Sequence, residues 1–261
     1  GLGDVYKRQE DPLRILRAVR LSARYSLKIS AETKTQIQKN SILISTVSGE
    51  RVREEFLKLL SMENTVANLK TLDELGILTS VFPELEACRE TEQNMHHHWK
   101  VLDHMLETAG QVENILTGTL INIGPFPEFI ADYIPITDGH KNYFNQIYSD
   151  GHSRLTLLKL SGILHDIGKP ETKTVEADGK IRFLTHEKLG GEIVYSILKR
   201  LKFSNLGVEL IKTQVENHLR PSQISSPGEK PSLKAIRKFY KDTEDTSLDI
   251  LYLSLIHISE P

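Results

Sequence analysis

Apolar residues recur every three or four positions along most of the chain, and the runs they form are bounded by capping or breaking residues. In "PLRILRAVRLSARY" (residues 12–25), Leu13, Leu16, Val19 and Ala23 fall on one side of a helix. Asp11 followed by Pro12 reads as an N-cap and a first helical position. "SAETKTQIQKNS" predicts a short helix capped by Ser30, and "SGERVREEFLKLLS" another beginning near Ser48. "TVANLKTLDELGIL" closes at Gly76, a left-handed cap, and Pro83 punctuates the next connection. No segment up to Cys88 alternates with period two, so this part reads as all-helical.

Helical spacing resumes from His96 to Asn114, with Val101, Leu102, Met105 and Leu106 on the apolar side. The stretch from Gly118 to Gly151 is rich in Gly, Pro, Asn and aromatics and reads as an irregular insertion with short helices at most. "HSRLTLLKLSGILHDIG" then predicts a strongly apolar helix. In "TKTVEADGKIRFLTH", Asp178-Gly179 between β-formers predicts a small hairpin. Two more amphipathic helices follow, the second stopping at Pro221, and "LKAIRKFYKDT" predicts a basic helix. The expected fold class is all-α with one small β-hairpin.

The two ends break this pattern. "GLGDVYKRQ" and "SLIHISEP" lack helical periodicity continuous with their neighbours and resemble translated primer or adapter sequence. The expectation is that residues 1–9 and 255–261 are adapter-like and that the natural protein continues past both ends.

Composition narrows the function classes. The chain has 261 residues, 39% apolar and 26% charged, with a net charge of -2. No apolar run approaches the roughly 18 to 20 residues of a membrane span, and the expected location is cytoplasmic. A single cysteine, Cys88, excludes an intramolecular disulfide and a thiolate zinc site and reads as a small packed side chain. The overall charge argues against bulk affinity for nucleic acid, so RNA contact has to come from local stripes. Arg14, Arg17, Arg20 and Arg24 recur every three or four residues along the first helix; they form either a phosphate-binding stripe or a solvated face.

The densest candidate chemistry is histidine and carboxylate. His96, His97 and His98 stand together, His104 lies further along the same helical segment, and His165-Asp166 ends an apolar run at Gly168 and Pro170. His186 and His218 lie on later helices. Imidazole with carboxylate suits a divalent metal such as manganese, iron, cobalt, nickel or zinc, with magnesium admitted if carboxylates dominate. Asp166 beside the apolar wall of Leu157, Leu158, Leu160 and Ile163 is costly to bury unless it is paired, and a cation offsets that cost.

"HHHWKVLDHML" followed by "GILHDIGKP" resembles the HD phosphohydrolase superfamily. The resemblance implies His97, His165 and Asp166 as the first three metal ligands, with His98 as the alternative to His97. "THEKLGGEI" and "VENHLRP" match the further histidines of two-metal members, so His186 and His218 are implied second-site ligands. The family's last aspartate is expected beyond the genuine sequence, and Asp249 is a poor substitute by position. In such a site the metal acidifies water and polarises a phosphoryl oxygen. Lys169 either steadies the substrate's negative charge or is a solvated lysine after a turn.

"EDPLRILRAVRLSARYSLKISAET", "SGERVREEFLKLL" and "LDELGILTSVFPEL" resemble, in order, segments of class II CCA-adding tRNA nucleotidyltransferases and their poly(A) polymerase relatives. That resemblance implies a neck and body over residues 10–88 and an HD domain over 89–254 with an insertion at about 115–152. It implies tRNA and nucleotides as partners, with ATP and CTP as substrates of the full-length family. Glu10, Asp11 and Arg14 correspond to its base-selecting motif. Cytosine and adenine present an amino donor beside a ring-nitrogen acceptor, which Asp and Arg complement, while guanine and uracil present the reverse. The competing role for Asp11 is the N-cap. Arg17, Arg20, Arg24, Arg51 and Arg53 are the expected RNA contacts, with salt bridges to Glu54 or Glu55 the alternative for Arg51 and Arg53. The family's phosphate-binding turn and paired carboxylates belong to a head N-terminal to Glu10, so this stretch is not expected to add nucleotides by itself. Two alternatives stand beside this reading: a separate HD phosphohydrolase acting on a small phosphoester, and a non-catalytic helical RNA-binding body.

Overall fold

The computed structural model describes residues 11–93, 99–117, 137–224 and 230–258. The first helix, α1 (Leu13–Tyr25), buries Leu13, Ile15, Leu16 and Val19. Asp11 Oδ1 accepts from the Leu13 N–H at 3.3 Å, the relation of a cap to its second helical residue with Pro12 between. Next come α2 (Ala31–Asn40), whose cap Ser30 accepts from the Thr33 N–H, a 3₁₀ turn over Ser41–Thr46, and α3 (Gly49–Leu60). Helix α4 (Thr65–Glu74) ends before Gly76, which takes φ 68°, the left-handed conformation expected of it. Short helices α5 (Ile77–Val81) and α6 (Glu86–Arg89) complete this helical part.

Helix α7 (Val101–Thr117) opens the second part. The expected insertion is described only from residue 137, where it holds a helix, α8 (Asp138–Asn145), and a tight antiparallel hairpin, β1 (Ile147–Ser149) with β2 (His152–Ser153). This hairpin is a departure from the sequence reading, which expected a single one. Its turn is Asp150-Gly151, the dipeptide that marked the other hairpin, but the strands are too short to show alternation. Then follow α9 (Arg154–Leu164), α10 (Lys169–Thr172), and the expected hairpin of β3 (Lys173–Val175) and β4 (Ile181–Phe183), closed with Gly179 at φ 85°. Helices α11 (His186–Arg200), α12 (Asn205–Asn217), α13 (Arg220–Gln223), α14 (Leu233–Thr243) and α15 (Ser247–Ile258) finish the chain. Helix α15 runs on past Ser254, where no continuous periodicity was expected.

The centre of the packing is α9, which lies against α7, α12 and α3. Every residue of α9 except Leu155 is buried. It approaches α7 closely because a Cβ on Gly162 would stand 3.1 Å from the Ala109 backbone. One apolar core runs from Leu13 in α1 through α7 and α9 to Val215 in α12, so the neck-like helices and the histidine-bearing helices share an interior. Two cations, the buried Lys159 and the exposed Arg200, tie the junction. Lys159 Nζ donates to the Leu60 and Met62 carbonyls at 3.3 and 3.1 Å and to Glu113 at 2.7 Å. Arg200 donates to the Val81 carbonyl and to both oxygens of Glu84. No described helix is long and apolar enough to cross a membrane.

Candidate metal centre

Four ligand-bearing histidines arrive from four helices. His104 lies on the buried side of α7, one turn from the buried Val101 and Thr108; His165 and Asp166 follow the end of α9; His186 begins α11; and His218 follows the end of α12. Their imidazoles converge on one carboxylate. Asp166 Oδ2 lies 3.2 Å from His104 Nε2 and 3.0 Å from His165 Nε2, and its Oδ1 lies 3.2 Å from His186 Nε2 and 3.7 Å from His218 Nε2. His104 and His165 approach each other at 3.0 Å through Nε2.

The turns at the ends of the helices orient the rings. His165, His186 and His218 each place Nδ1 2.7 to 2.8 Å from the carbonyl three residues earlier, on Gly162, Phe183 and Val215. A carbonyl only accepts, so each Nδ1 carries the proton and each Nε2 presents a lone pair toward Asp166. Burial pushes the His218 imidazole down to about 3 and lowers His165 as well, which keeps both neutral and able to ligate. For His186 burial acts in the same direction, but the facing Asp166 outweighs it and raises the ring's pKa. Burial alone would raise the Asp166 carboxyl, but it is held well below the usual carboxylate range, with the Lys169 ammonium 2.7 Å away as the opposing charge.

Two sets of donors lie within 4.8 Å of one another, His104/His165/Asp166 and Asp166/His186/His218, all buried and sharing the aspartate. Both Asp166 oxygens and His186 Nε2 are buried and form no aligned hydrogen bond despite these approaches. Ligands about 2.1 Å from one metal and about 90° to 110° apart are separated by about 3.0 to 3.4 Å. The His104, His165 and His186 spacings of 3.0 to 3.2 Å fall in that range, and His218 lies a little further out at 3.7 Å. Lys169 stands at the rim, with Nζ 2.7 Å from Asp166 Oδ2 and 2.6 Å from Gln93 Oε1, over the Phe183 ring.

Sequence reasoning passed over His104 in favour of His97, which lies outside the described residues. The signal for His104 was its position amid Val101, Leu102, Met105 and Leu106: a histidine on the apolar side of the helix is carried inward by the same periodicity. Asp249 is buried but belongs to a different cluster, accepting from Arg154 at 2.8 Å and Tyr143 at 2.6 Å. Cys88 packs in the core, and burial, reinforced by Asp166, pushes its thiol up to about 12.

The expected nucleic-acid residues separate. Glu10 lies outside the described residues. Asp11 receives the Arg51 guanidinium at 3.0 Å, and Arg14 is exposed on α1. Arg17 and Arg20 converge on the buried Glu55 at 3.3 and 2.8 Å, so much of the stripe's charge is offset within the fold. Arg24 is exposed beside Tyr25. Arg53 is buried: it reaches the Lys202 carbonyl, pairs with Glu54 and Asp150, and lies over Phe203, a junction role in place of a surface one.

Comparison with known proteins accords with this geometry. Residues 26–89 match the family described as the probable RNA and SrmB-binding site of polymerase A, and residues 128–256 match the HD domain. The chain is 26% identical over 250 residues to the CC-adding tRNA nucleotidyltransferase of Thermus thermophilus, covering 94% of this chain and 48% of that protein. It is 26% identical over 215 residues to the A-adding tRNA nucleotidyltransferase of Deinococcus radiodurans, covering 80% and 42%. It is also 26% identical over 246 residues to the bifunctional uridylyltransferase/uridylyl-removing enzyme of Ruegeria pomeroyi, covering 92% and 24%. The chain thus spans less than half the length of these curated relatives. With a segment matching the RNA-binding site of polymerase A followed by an HD domain around a buried His/Asp cluster, the chain is a distant homologue of the CC- and A-adding tRNA nucleotidyltransferases, matching part of their length.

Proposed function

We propose that the His/Asp cluster is a metal-dependent phosphohydrolase site within a tRNA nucleotidyltransferase-type protein. The observation that carries this reading is the convergence of His104, His165, His186 and His218 on Asp166, with three Nδ1 atoms held by backbone carbonyls. A divalent cation bound by these residues supplies Lewis acidity toward a phosphoryl oxygen and lowers the pKa of water. Imidazoles outnumber the carboxylate, which favours manganese, iron, cobalt or nickel over magnesium. Asp166 contributes the negative charge, and the pinned rings keep their lone pairs directed inward without a cost of reorganisation. Lys169, at the rim and held by Gln93 and Asp166, is the cation positioned to meet a substrate phosphate.

The neck motif belongs to the same proposal. Asp11 and Arg14 are the base-edge readers for cytosine and adenine, and Arg51 steadies the Asp11 carboxylate that the α1 N–H group shares. Nucleotide addition, with CTP, ATP and tRNA as its substrates, is proposed for the whole protein on the strength of relatives named CC-adding and A-adding. A relative named for uridylyl removal favours phosphodiester hydrolysis as the activity of the HD part.

The test is metal analysis of chelated and reconstituted protein together with hydrolysis of 2′,3′-cyclic nucleotides and bis(p-nitrophenyl) phosphate. The expected result is tight uptake of cobalt, nickel or manganese and turnover that Asp166→Asn abolishes. Absence of both metal uptake and turnover would leave the non-catalytic RNA-binding body as the better reading.

A further inference from the structure

Two basic helices were legible in the sequence, and the fold treats them differently. On α1, Arg17 and Arg20 are neutralised by the buried Glu55, whose carboxyl is lowered by them against its own burial. From Lys230 into α14, the segment "KPSLKAIRKFYK" (residues 230–241) carries five cations, four of them on the helix, and no carboxylate, in a chain whose net charge is -2. At 100° per residue, Lys234, Arg237, Lys238 and Lys241 fall within about 100° of one another, a single stripe along the helix. All four are exposed. Lys238 is paired with Asp242, whereas the ion pairs among the described residues do not engage Lys234, Arg237 or Lys241.

The position of this helix gives the stripe a context. Two residues after the ligand His218, Arg220 donates to Asn217 at 3.2 Å and to Asp242 of α14 at 2.8 Å, and its guanidinium lies over Phe239. Lys238 meets the same Asp242 oxygen at 2.7 Å. Arg220 and Asp242 thus tie the turn that follows His218 to the stripe on α14. On the flank of that stripe Tyr240 is 52% and Leu233 72% exposed, next to Arg237. Cations spaced along a helix with an exposed aromatic beside them fit a phosphodiester backbone whose bases stack.

We infer that α14 is a single-stranded RNA-binding surface that delivers a polynucleotide phosphoester to the HD centre, so that the substrate class is RNA and not a small nucleotide. The inference rests on the phosphohydrolase reading above for its catalytic part and on the stripe alone for its binding part. The occupant is identified by charge complementarity: a polyanion offers several phosphates at once, whereas a mononucleotide would leave most of the stripe unused.

The experiment compares the full chain with the triple variant Lys234→Gln/Arg237→Gln/Lys241→Gln, in which only exposed side chains change. RNA affinity is read by fluorescence anisotropy of a labelled single-stranded oligonucleotide across a salt series. Turnover is read on bis(p-nitrophenyl) phosphate and on an oligonucleotide ending in a 2′,3′-cyclic phosphate. The expected outcome is a loss of RNA affinity of about tenfold or more, and a salt slope smaller by about 2, since each single-strand phosphate contributes about 0.7. KM for the oligonucleotide rises while turnover of the small diester is unchanged. The inference is overturned if the wild-type chain does not bind RNA, if the variant keeps the same affinity and slope, or if both substrates lose activity equally. Stripe-dependent RNA binding without hydrolysis of either substrate would remove the phosphohydrolase reading and the delivery role but leave the binding surface standing.

Discussion

Gly168→Ala tests how the two halves of the metal centre are held together. Gly168 lies in the turn after His165-Asp166 with φ -81° and ψ -9°, a conformation open to any L-residue, so alanine there carries no backbone strain. The cost is steric. A Cβ at Gly168 would stand 2.3 Å from the His186 carbonyl oxygen and 2.8 Å from the Gly190 nitrogen, both backbone atoms at the start of α11. A carbon–oxygen contact needs about 3.3 Å, so α11 has to withdraw by about 1 Å. His186 Nε2 now lies 3.2 Å from Asp166 Oδ1 and would move with it. Overpacking of this kind costs about 1–3 kcal/mol. Displacing a ligand by about 1 Å is expected to lower metal affinity by at least the 10- to 100-fold seen for changes behind the ligands. Urea denaturation of chelated protein measures the first effect, and calorimetric titration with cobalt or manganese the second. Gly139→Ala is the control, since its Cβ would meet nothing closer than 3.4 Å. A Gly168→Ala protein with stability within about 0.5 kcal/mol of wild type and metal affinity within twofold would refute the close contact between the HD turn and α11.

Two further outcomes are expected. His104→Ala should lower cobalt affinity at least tenfold while His97→Ala leaves it within about twofold, a comparison read by calorimetry; the reverse order would return the first-ligand role to His97. Asp249 is raised to about 6 by burial, which outweighs its contacts with Tyr143 and Arg154, so between about pH 4 and 6 the folded chain holds a proton that the unfolded chain has released. Stability relative to Asp249→Asn should accordingly fall by about 2–3 kcal/mol as pH rises from 4 to above 6 and stay level outside that window. A stability difference independent of pH, measured by denaturant titration at matched metal, would show that Asp249 is ionised throughout.

The sequence by itself determined the helices, because the 3.6-residue period, Ser30 and Gly76 as caps and Pro221 as a breaker are all local signals that act before any tertiary contact forms. It also determined that His165-Asp166 had to be paired, since a carboxylate beside Leu157, Leu160 and Ile163 has no other route to stability. The resemblance of its motifs pointed to the family, and the comparisons bear that out. The β1–β2 hairpin escaped notice because two- and three-residue strands carry no period, leaving only Asp150-Gly151 to mark it. Only the tertiary structure decided which cations are spent inside the fold: Arg20 lies 35 positions from the Glu55 that neutralises it, and Arg53 meets Lys202 across 149. It likewise decided that His104 joins His165 across 61 residues. Such pairings depend on the depth and crossing of α7, α9, α11 and α12, which are set by the close approach at Gly162 and Gly168 and by the shared apolar core. Local periodicity says which way a side chain faces its own helix, and packing alone says what it meets there.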